Sequence, residues 1–330
     1  DGLLIHSENW QALNLLQERY RGRVKCVYID PPYNARSSEI VYKNDYKHSS
    51  WLALMENRLY ISRKLLTHAP VCVIAIDETE QEKLGFLLEQ IFPEFSKTCI
   101  TIVHNATGQQ GNNFSYTHEF AYFIYPQEGC WIGLQDRSDR PDVRPLRNVS
   151  KGAHLRTDAA NCFYPIYVKD GKIIGFGEVC DEDFHPSGAN VVRTDGIIEV
   201  YPIDSHGVER KWVFARQTVE KIRDELEARY DSSTGLWDII RTKKKFNYKT
   251  VWTDSRYSAN SYGSRVLNEI LQSNQFSFPK SIYTVRDCID AALGNATQGY
   301  IIDYFAGSGT TGHAVINLNR EDGGRRKFIL

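Results

Sequence analysis

Short apolar runs alternate with helix-period segments at the start of the chain. Residues 3–5 and 24–29 are apolar, and "ENWQALNLLQERY" between them carries apolar residues at helical spacing. The alternation continues through a helical segment at 49–66, the fully apolar run 71–76 and a second helical segment at 77–92. This order of strand, helix and strand predicts β-α-β crossovers in a mostly parallel sheet.

Two further runs, 99–104 and 119–125, predict an antiparallel hairpin at the edge of the same sheet. The pattern changes near residue 126, where Gly, Pro, Asp and Arg become frequent and apolar runs shorten; helical spacing returns only at 215–230. The tail regains a strand at 300–305, a glycine turn, a helix from 310 and a strand at 327–330.

We therefore predict a doubly wound, mostly parallel, Rossmann-like α/β sheet with an antiparallel edge hairpin and an inserted mixed α+β domain. The predicted division is 1–125 for the first part of the sheet domain, 126–265 for the insertion, and 266–330 for the second part. A chain of 330 residues with 42% hydrophobic content fits one large or two moderate globular domains.

Charge and cysteine usage narrow the function classes. A formal net charge of −1 gives no global attraction to nucleic acid, so such a role must rest on local basic patches. The seven cysteines are scattered without metal-ligand spacing, which predicts neither a zinc site nor a disulfide framework. No apolar run is long enough to cross a bilayer and no secretory signal is visible, which predicts a cytoplasmic protein.

Residues 30–33, "DPPY", end the apolar run 24–29. The prolines fix φ and remove two backbone donors, so the Asp30 carboxylate and the Pro31 carbonyl form a rigid rim of acceptors. Such a rim suits an exocyclic amine, and the Tyr33 ring offers a face for a flat base. A strand-ending proline turn with a core tyrosine is the alternative. The position at a strand's carboxyl end favours a ligand site.

The stretch "DYFAGSGTTG", residues 303–312, places glycines between a strand and a helix. There a ligand can approach the backbone and the helix N-terminus, as in nucleotide-cofactor sites. A tight structural connection is the equally simple interpretation of this feature alone.

Residues 241–265 hold seven basic residues against one acidic residue, interleaved with five aromatic side chains. This local excess indicates phosphate contact, with a solvated basic surface and inward-facing aromatics as the alternative. The candidate DNA-binding residues are Arg241, Lys243, Lys244, Lys245 and Lys249.

"DPPY" followed by Asn34, and "FAGSG" at 305–309, resemble the catalytic and cofactor motifs of the amino-methyltransferases of DNA, which use S-adenosylmethionine. The order of the two motifs, with a long insertion between them, resembles the β arrangement of that group. "IHSENWQAL", "THEFAYFIY" and "FSFPKSIYTVRD" look most like the modification subunits of type III restriction-modification systems.

The resemblance implies a site-specific methyltransferase acting on adenine N6 of a flipped-out base in double-stranded DNA, with a homodimer and a restriction subunit as partners. The implied catalytic residues are Asp30, Pro31, Pro32 and Tyr33. The implied cofactor residues are Asp303, Phe305, Ala306, Gly307, Ser308, Gly309 and Thr310, with Lys280 where the family's tenth motif approaches the methionine end of the cofactor.

Two departures from the family pattern stand out. Glu8, in "HSEN", occupies the position where the family more often has aspartate, and the acidic residue expected to bind the cofactor ribose would follow Leu330. The chain lacks an initiator Met and closes on the strand-like "RRKFIL", so we expect it to be a fragment of a longer protein.

Three other functions remain open. An N4-cytosine methyltransferase would use the same cofactor and a similar rim, although aspartate at the first motif position favours adenine. A DNA-specificity module without catalysis would have no use for an intact Asp30 and Tyr33. A dinucleotide-dependent oxidoreductase could use "AGSGTTG", but it leaves "DPPY" unexplained.

Overall fold

The computed structural model describes residues 2–34, 47–110, 113–149, 152–272, 276 and 278–330. Its strands are, in chain order, β1 Gly2–Leu3, β2 Val24–Ile29, β3 Leu66–Ile76, β4 Phe95–Val103, β5 Gln109–Gln110, β6 Ser115–Tyr116, β7 His118–Pro126, β8 Leu134–Asp136, β9 Asp142–Pro145, β10 Ile166–Lys169, β11 Lys172–Phe176, β12 Asn190–Val192, β13 Ile198–Val200, β14 Leu226–Asp231, β15 Leu236–Lys243, β16 Lys245–Asn247, β17 Val251–Trp252, β18 Gln298–Ile302 and β19 Arg325–Ile329.

The α-helices are α1 Asn9–Tyr20, α2 Lys47–Arg63, α3 Gln81–Ile91, α4 Arg216–Val219, α5 Arg265–Leu271, α6 Ile282–Leu293 and α7 Thr310–Asp322. Short 3₁₀ turns and one π-helical turn, Asn260–Ser264, complete the regular structure of the described ranges. Of the helices described, none has the length and apolar character that crossing a membrane requires.

The chain forms two compact units, residues 1–135 with 247–330, and residues 136–246. The larger unit carries an eight-stranded sheet in the order β1-β19-β18-β2-β3-β7-β4-β17. Strands β1, β19, β18, β2 and β3 pair in parallel, while β7 runs antiparallel to both β3 and β4. The predicted parallel sheet with an antiparallel hairpin is confirmed, and the two-residue strand β17 adds to the outside of β4.

Both faces of this sheet are buried, which explains the continuous apolar runs in the sequence. Along β2, Val24, Val27 and Ile29 pack with α1, α2 and α3 on one face. Cys26 and Tyr28 point to the other face, where α6 and α7 lie. The sheet is therefore wound on both sides, as a doubly wound fold requires.

The pairing of β2 with β18 brings distant parts of the sequence together. The register sets Ile302 opposite Val27, so the two parallel strands end at the same edge of the sheet. Asp30 follows β2 and Asp303 follows β18 at this edge. Residues after the carboxyl ends of neighbouring parallel strands are where open α/β sheets bind ligands.

The smaller unit contains a four-stranded antiparallel sheet, β11-β10-β13-β12, and a three-stranded sheet, β14-β15-β9. Its core includes Tyr164, Phe176, Trp212 and Ile239. The helix predicted at 215–230 is wrong beyond its first turns, because Leu226–Asp231 forms strand β14. Pairing with β15 across a turn at Gly235, whose φ is 72°, outweighs the helical propensity of this segment.

The boundaries of the two compact units differ from the predicted domain boundaries. Residues 126–135 and 247–265, which were assigned to the insertion, lie in the larger unit. There Trp252 and Tyr257 are buried, and Tyr248 stacks near Trp252 with a centroid separation of 5.3 Å. Trp252 and Tyr257 belong to the core of the sheet domain beside α6, and Tyr248 is partly buried against that core. Whether target recognition itself is confined to 126–265 stays a prediction.

Candidate active site

A cavity of about 1170 Å³ opens at the carboxyl edge of the large sheet. Its wall includes both sequence motifs, namely Asp30, Pro31, Pro32 and Tyr33 with Asp303, Phe305, Ala306, Gly307, Ser308 and Thr310, together with Lys280. Gly309 is outside this set and precedes helix α7. The structure thus brings together two motifs from distant parts of the sequence around one space large enough for a small-molecule ligand.

Two hydrogen bonds, one from an indole and one from a side-chain amide, hold the "DPPY" turn and the residue that follows it. The indole Nε1 of Trp51, a fully buried residue of α2, donates to the Pro32 carbonyl at 2.7 Å. Asn34, with φ of 60°, donates from Nδ2 to Glu80 Oε1 at 2.7 Å. Among the described residues, none donates to the Pro31 carbonyl. Pro32 therefore anchors the turn, while Pro31 keeps an acceptor at the cavity wall.

Asp30 and Tyr33 surround the ammonium of Lys280. Lys280 Nζ lies 3.4 Å from Asp30 Oδ1 and 4.4 Å from the centroid of the Tyr33 ring. The same ammonium donates to Glu119 Oε2, and the Tyr33 hydroxyl donates to that oxygen at 3.2 Å. Because Lys280 covers one face of the ring, a flat base can stack only on the opposite face.

The charged groups of this cluster shift one another's pKa values. Burial raises the pKa of Asp30; the ammonium of Lys280 opposes that rise and the carboxylate of Glu119 adds to it. Burial alone would lower the pKa of Lys280, but the carboxylates of Asp30 and Glu119 outweigh it and hold that pKa above its usual value. Lys280 therefore stays charged between two carboxylates.

The backbone that carries Lys280 is held closely by its neighbours. Ser281 caps α6 and donates from its hydroxyl to the Arg256 carbonyl at 2.7 Å. A methyl group added at Gly263 would lie 2.3 Å from the Pro279 carbonyl oxygen, so only glycine permits this approach. The position of the ammonium is thus set by packing of the 256–263 segment.

Asp303 is held within the glycine turn. Its Oδ1 accepts from the Phe305 N–H at 3.0 Å and its Oδ2 accepts from the Thr311 hydroxyl at 2.6 Å. Burial raises the pKa of Asp303 to about 7, although both hydrogen bonds oppose that rise. Asp303 therefore ties the end of β18 to the first turn of α7.

The glycine turn fits the cofactor that the sequence implies. Gly307 and Gly309 have φ of 51° and 77°, and no acceptor within the described residues meets the N–H groups of Gly307 and Ser308. These donors stand beside the N-terminus of α7, a site that favours polar ligand groups. A second cavity of about 170 Å³, lined by Ser7 and Leu330 among others, shares Asp303 and Ala306 with the first.

Glu8 has a structural position at the start of α1. Its carboxylate accepts from the Gln11 N–H at 3.1 Å as the helix N-cap, and it pairs with Arg58 at 2.5 Å. The neighbouring Asn9 donates to the Tyr304 carbonyl at 3.2 Å. The "HSEN" segment therefore links α1 and α2 to the glycine turn.

The candidate DNA-binding residues divide between the units. Arg241 pairs with Glu225 at 2.6 Å and lies over the Phe214 ring, while Lys243 lies over the Phe246 ring. Lys244 and Lys245 are exposed in the smaller unit, and Lys249 is exposed in the larger one. Exposed lysines can reach phosphates, whereas the Arg241 ion pair holds its own unit together.

Sequence reasoning missed Glu119. It lies in "THEFAYFIY", which was interpreted as a strand and as part of the family resemblance but not as a site, and it is 4% exposed on the cavity wall. A charged residue inside an otherwise apolar strand is the signal that could have identified it, because buried carboxylates need a partner.

The DNA methylase family matches residues 24–329. The chain is 30% identical to the type II methyltransferase M.KpnI of Klebsiella pneumoniae, over 98% of this chain and 78% of that protein. It is 26% identical to the EcoPI Mod subunit of the type III restriction-modification enzyme of Escherichia phage P1, over 99% of this chain and 56% of the subunit.

The EcoP15I Mod subunit of Escherichia coli, also from a type III enzyme, is 25% identical over 99% of this chain and 58% of its own length. The chain thus spans just over half the length of these type III relatives. Since the family match covers nearly the whole sheet, its two motifs and the cavity between them, the chain belongs to the DNA methylase family, whose methyl donor is S-adenosylmethionine.

Proposed function

We propose that this protein methylates the N6 amine of an adenine that is flipped out of double-stranded DNA. The observation that carries the proposal is the single cavity shared by Asp30, Pro31 and Tyr33 on one side and the glycine turn on the other. A base amine bound at the first group and a cofactor bound at the second would meet within one cavity.

The adenine amine is a weak nucleophile because its lone pair is delocalised into the ring. When bound, S-adenosylmethionine supplies the electrophilic methyl group. The Asp30 carboxylate and the Pro31 carbonyl accept hydrogen bonds from the two amine hydrogens, which favours a tetrahedral nitrogen and stabilises its developing positive charge. Asp30 is the carboxylate placed to take the proton that the nitrogen then loses, so no covalent enzyme intermediate is required.

Asp303, Phe305, Ala306, Gly307, Ser308, Gly309 and Thr310 would hold the cofactor, with the free N–H groups of the turn as donors. Lys280 lies on the same cavity wall, and its ammonium is 3.4 Å from Asp30 Oδ1. Tyr33 replaces part of the stacking that the base loses on leaving the duplex, through the ring face that Lys280 leaves uncovered.

The names of the relatives support a proposal about the biological setting. Their names describe a type II methyltransferase and Mod subunits of type III restriction-modification enzymes. We infer that this protein is the modification component of such a system, acting as a homodimer beside a restriction subunit, in the cytoplasm with the DNA. Lys244, Lys245 and Lys249 would contact phosphates.

The test is transfer of a labelled methyl group to genomic DNA from a methylation-deficient host, which requires no knowledge of the recognised sequence. Digestion to nucleosides should yield labelled N6-methyladenine. Labelled N4-methylcytosine would establish the alternative target, and absence of label with retained DNA binding would establish a non-catalytic specificity module.

The matched variants are Asp30→Ala and Asp290→Asn. Asp290 is a partly buried carboxylate of the same unit that bonds the Tyr248 hydroxyl at 2.9 Å, away from the cavity wall. Asp30→Ala should lose label while retaining DNA binding, whereas Asp290→Asn should retain label. Unchanged turnover in Asp30→Ala would refute the proposed chemistry.

A further inference from the structure

We propose that Glu119 is a positioning residue for methyl transfer: by sharing Lys280 with Asp30 it sets the charge on Asp30, and by bonding Tyr33 it fixes the stacking ring. This inference rests on the proposed role of Asp30. It assigns a function to a residue on the antiparallel strand β7, outside both sequence motifs.

The contacts of Glu119 converge on one oxygen. Oε2 accepts from Lys280 Nζ and from the Tyr33 hydroxyl, and the residue is 4% exposed. Lys280 Nζ is closer to this oxygen than to Asp30 Oδ1, which is 3.4 Å away. A buried carboxylate with such partners is costly to bury, so its contacts must be well formed. Lys280 is therefore paired more closely with Glu119 than with Asp30.

Several charged or titratable groups surround Asp30. Glu119 faces it from β7 and Lys280 from the segment before α6, while Asp303 faces it from the end of β18. Tyr28 and Tyr33 come from its own strand and turn. Asp77, which follows β3, interacts with Lys280, and His104, which follows β4, interacts with both Lys280 and Glu119. Lys280 therefore pairs with Asp30 and Glu119 inside a wider group of titratable side chains.

Because Lys280 pairs with both Asp30 and Glu119, two substitutions should shift the pKa of Asp30 in opposite directions. Glu119→Gln removes a like charge and leaves Lys280 entirely to Asp30, so Asp30 becomes more acidic. Lys280→Met removes the cation and leaves Asp30 beside Glu119, so Asp30 becomes less acidic. General destabilisation of the fold cannot produce shifts of opposite sign.

The experiment measures methyl incorporation into DNA from a methylation-deficient host across pH, with the intact protein. The acid limb of the rate profile should move to lower pH by roughly 1 unit in Glu119→Gln and to higher pH by roughly 1 unit in Lys280→Met. Asp290→Asn, whose parent carboxylate also contacts a tyrosine hydroxyl and a cation, Arg286 at 3.5 Å, should leave the limb in place.

A second variant separates the effect of the charge at position 119 from the effect of its hydrogen bonds. It also tests the proposal if Glu119→Gln fails to fold. Glu119→Asp keeps the negative charge near Lys280 but shortens the side chain by one methylene, so the shared oxygen is withdrawn from both Lys280 and the Tyr33 hydroxyl. The KM for DNA should rise about 2- to 10-fold while the acid limb stays near that of the parent protein. Thermal unfolding and calorimetric titration with S-adenosylhomocysteine report fold and cofactor binding separately from turnover.

The outcomes distinguish this inference from the proposed function. If Asp30→Ala retains full turnover, the role of Asp30 itself fails. If Asp30→Ala is inactive but Glu119→Gln matches the parent protein at every pH, only the role of Glu119 fails. Shifts of Glu119→Gln and Lys280→Met in the same direction would overturn it as well.

Discussion

Asp30 and Asp303 occupy equivalent places in the fold and have different surroundings. Each follows a parallel strand, β2 or β18, at the same edge of the sheet, and burial raises the pKa of both carboxyls. Asp303 bonds the Phe305 N–H and the Thr311 hydroxyl of its own turn. Asp30 has instead an ammonium 3.4 Å away and faces the cavity.

The difference shows how the same edge of a sheet can carry both a residue that stabilises a turn and a residue that faces a ligand. The acceptor capacity of Asp303 is used within the glycine turn, so it stabilises that turn. Asp30 keeps acceptor capacity for a ligand, because its ion-pair partner is shared with Glu119. Substitution of Asp303 should therefore act on stability and cofactor binding, whereas substitution of Asp30 should act on turnover.

The largest expected effect is on turnover. Asp30→Asn removes the charge that stabilises the amine in the transition state, and methyl transfer should fall by about 10²- to 10³-fold. The melting temperature should change little or rise, because a buried carboxylate disappears. Rates of label transfer and thermal unfolding check the two parts. A variant that unfolds in parallel with its loss of turnover would assign Asp30 a structural role and break the comparison.

The next effect is on stability and its pH dependence. The raised pKa of Asp303, about 7, means that the folded state holds a proton that the unfolded state has lost between about pH 4 and pH 7. Its contribution to stability is therefore present at low pH and is lost as pH rises to 7, by on the order of 4 kcal/mol. Asp303→Asn should remove this dependence. Denaturant unfolding of both proteins from pH 4 to pH 8 measures it, and parallel curves would contradict it.

DNA binding should be separable from both carboxylates. Replacing Lys244, Lys245 and Lys249 with alanine should reduce the slope of log affinity against log salt by roughly 2 to 3, because about 0.9 counterion is released per phosphate contact. Salt titrations of DNA binding with the Asp30→Asn protein should show the parent slope. Alanine at the exposed Lys169 and Lys172 of the smaller unit is the control for net charge alone. An equal loss of slope in that control would remove the lysines from the DNA contact.

The smallest expected effect is at Tyr33. Tyr33→Phe keeps the stacking ring and removes the hydroxyl that bonds Glu119 at 3.2 Å, so kcat/KM should fall about 2- to 10-fold. Steady-state kinetics of the variant, beside Tyr248→Phe as a hydroxyl-only control at Asp290, measure it. A loss as large as that of Asp30→Asn would mean that the hydroxyl acts on the base directly.

Much of the fold was predictable because buried parallel strands carry continuous apolar runs. The runs near 24–29, 71–76 and 119–125 all became strands, and the two motifs at strand ends identified the residues that line the cavity. Local spacing indicates which residues are buried and where a strand stops. Local spacing therefore identifies those site residues that follow one another in a single turn of the chain.

Features that depend on tertiary contacts were harder to predict. The segment 226–231 has a helical pattern but pairs with β15, and the aromatics at 248, 252 and 257 pack beside α6, as the inward-facing alternative anticipated. Glu119 could not be connected with Asp30 from sequence, because they lie on separate strands and share Lys280, which is distant in sequence from both. Such relations become visible only when strand order and side-chain positions are known.

The adjacency of β2 and β18 also bears on how the protein is made. Asp30 emerges early in translation, whereas its neighbouring strand and the glycine turn emerge much later. Because long-range strand pairing of this kind forms slowly and only once both partners exist, the nascent chain holds half a reaction centre until synthesis has passed the glycine turn. A chain released before Asp303 is synthesised therefore lacks the glycine-turn side of this cavity.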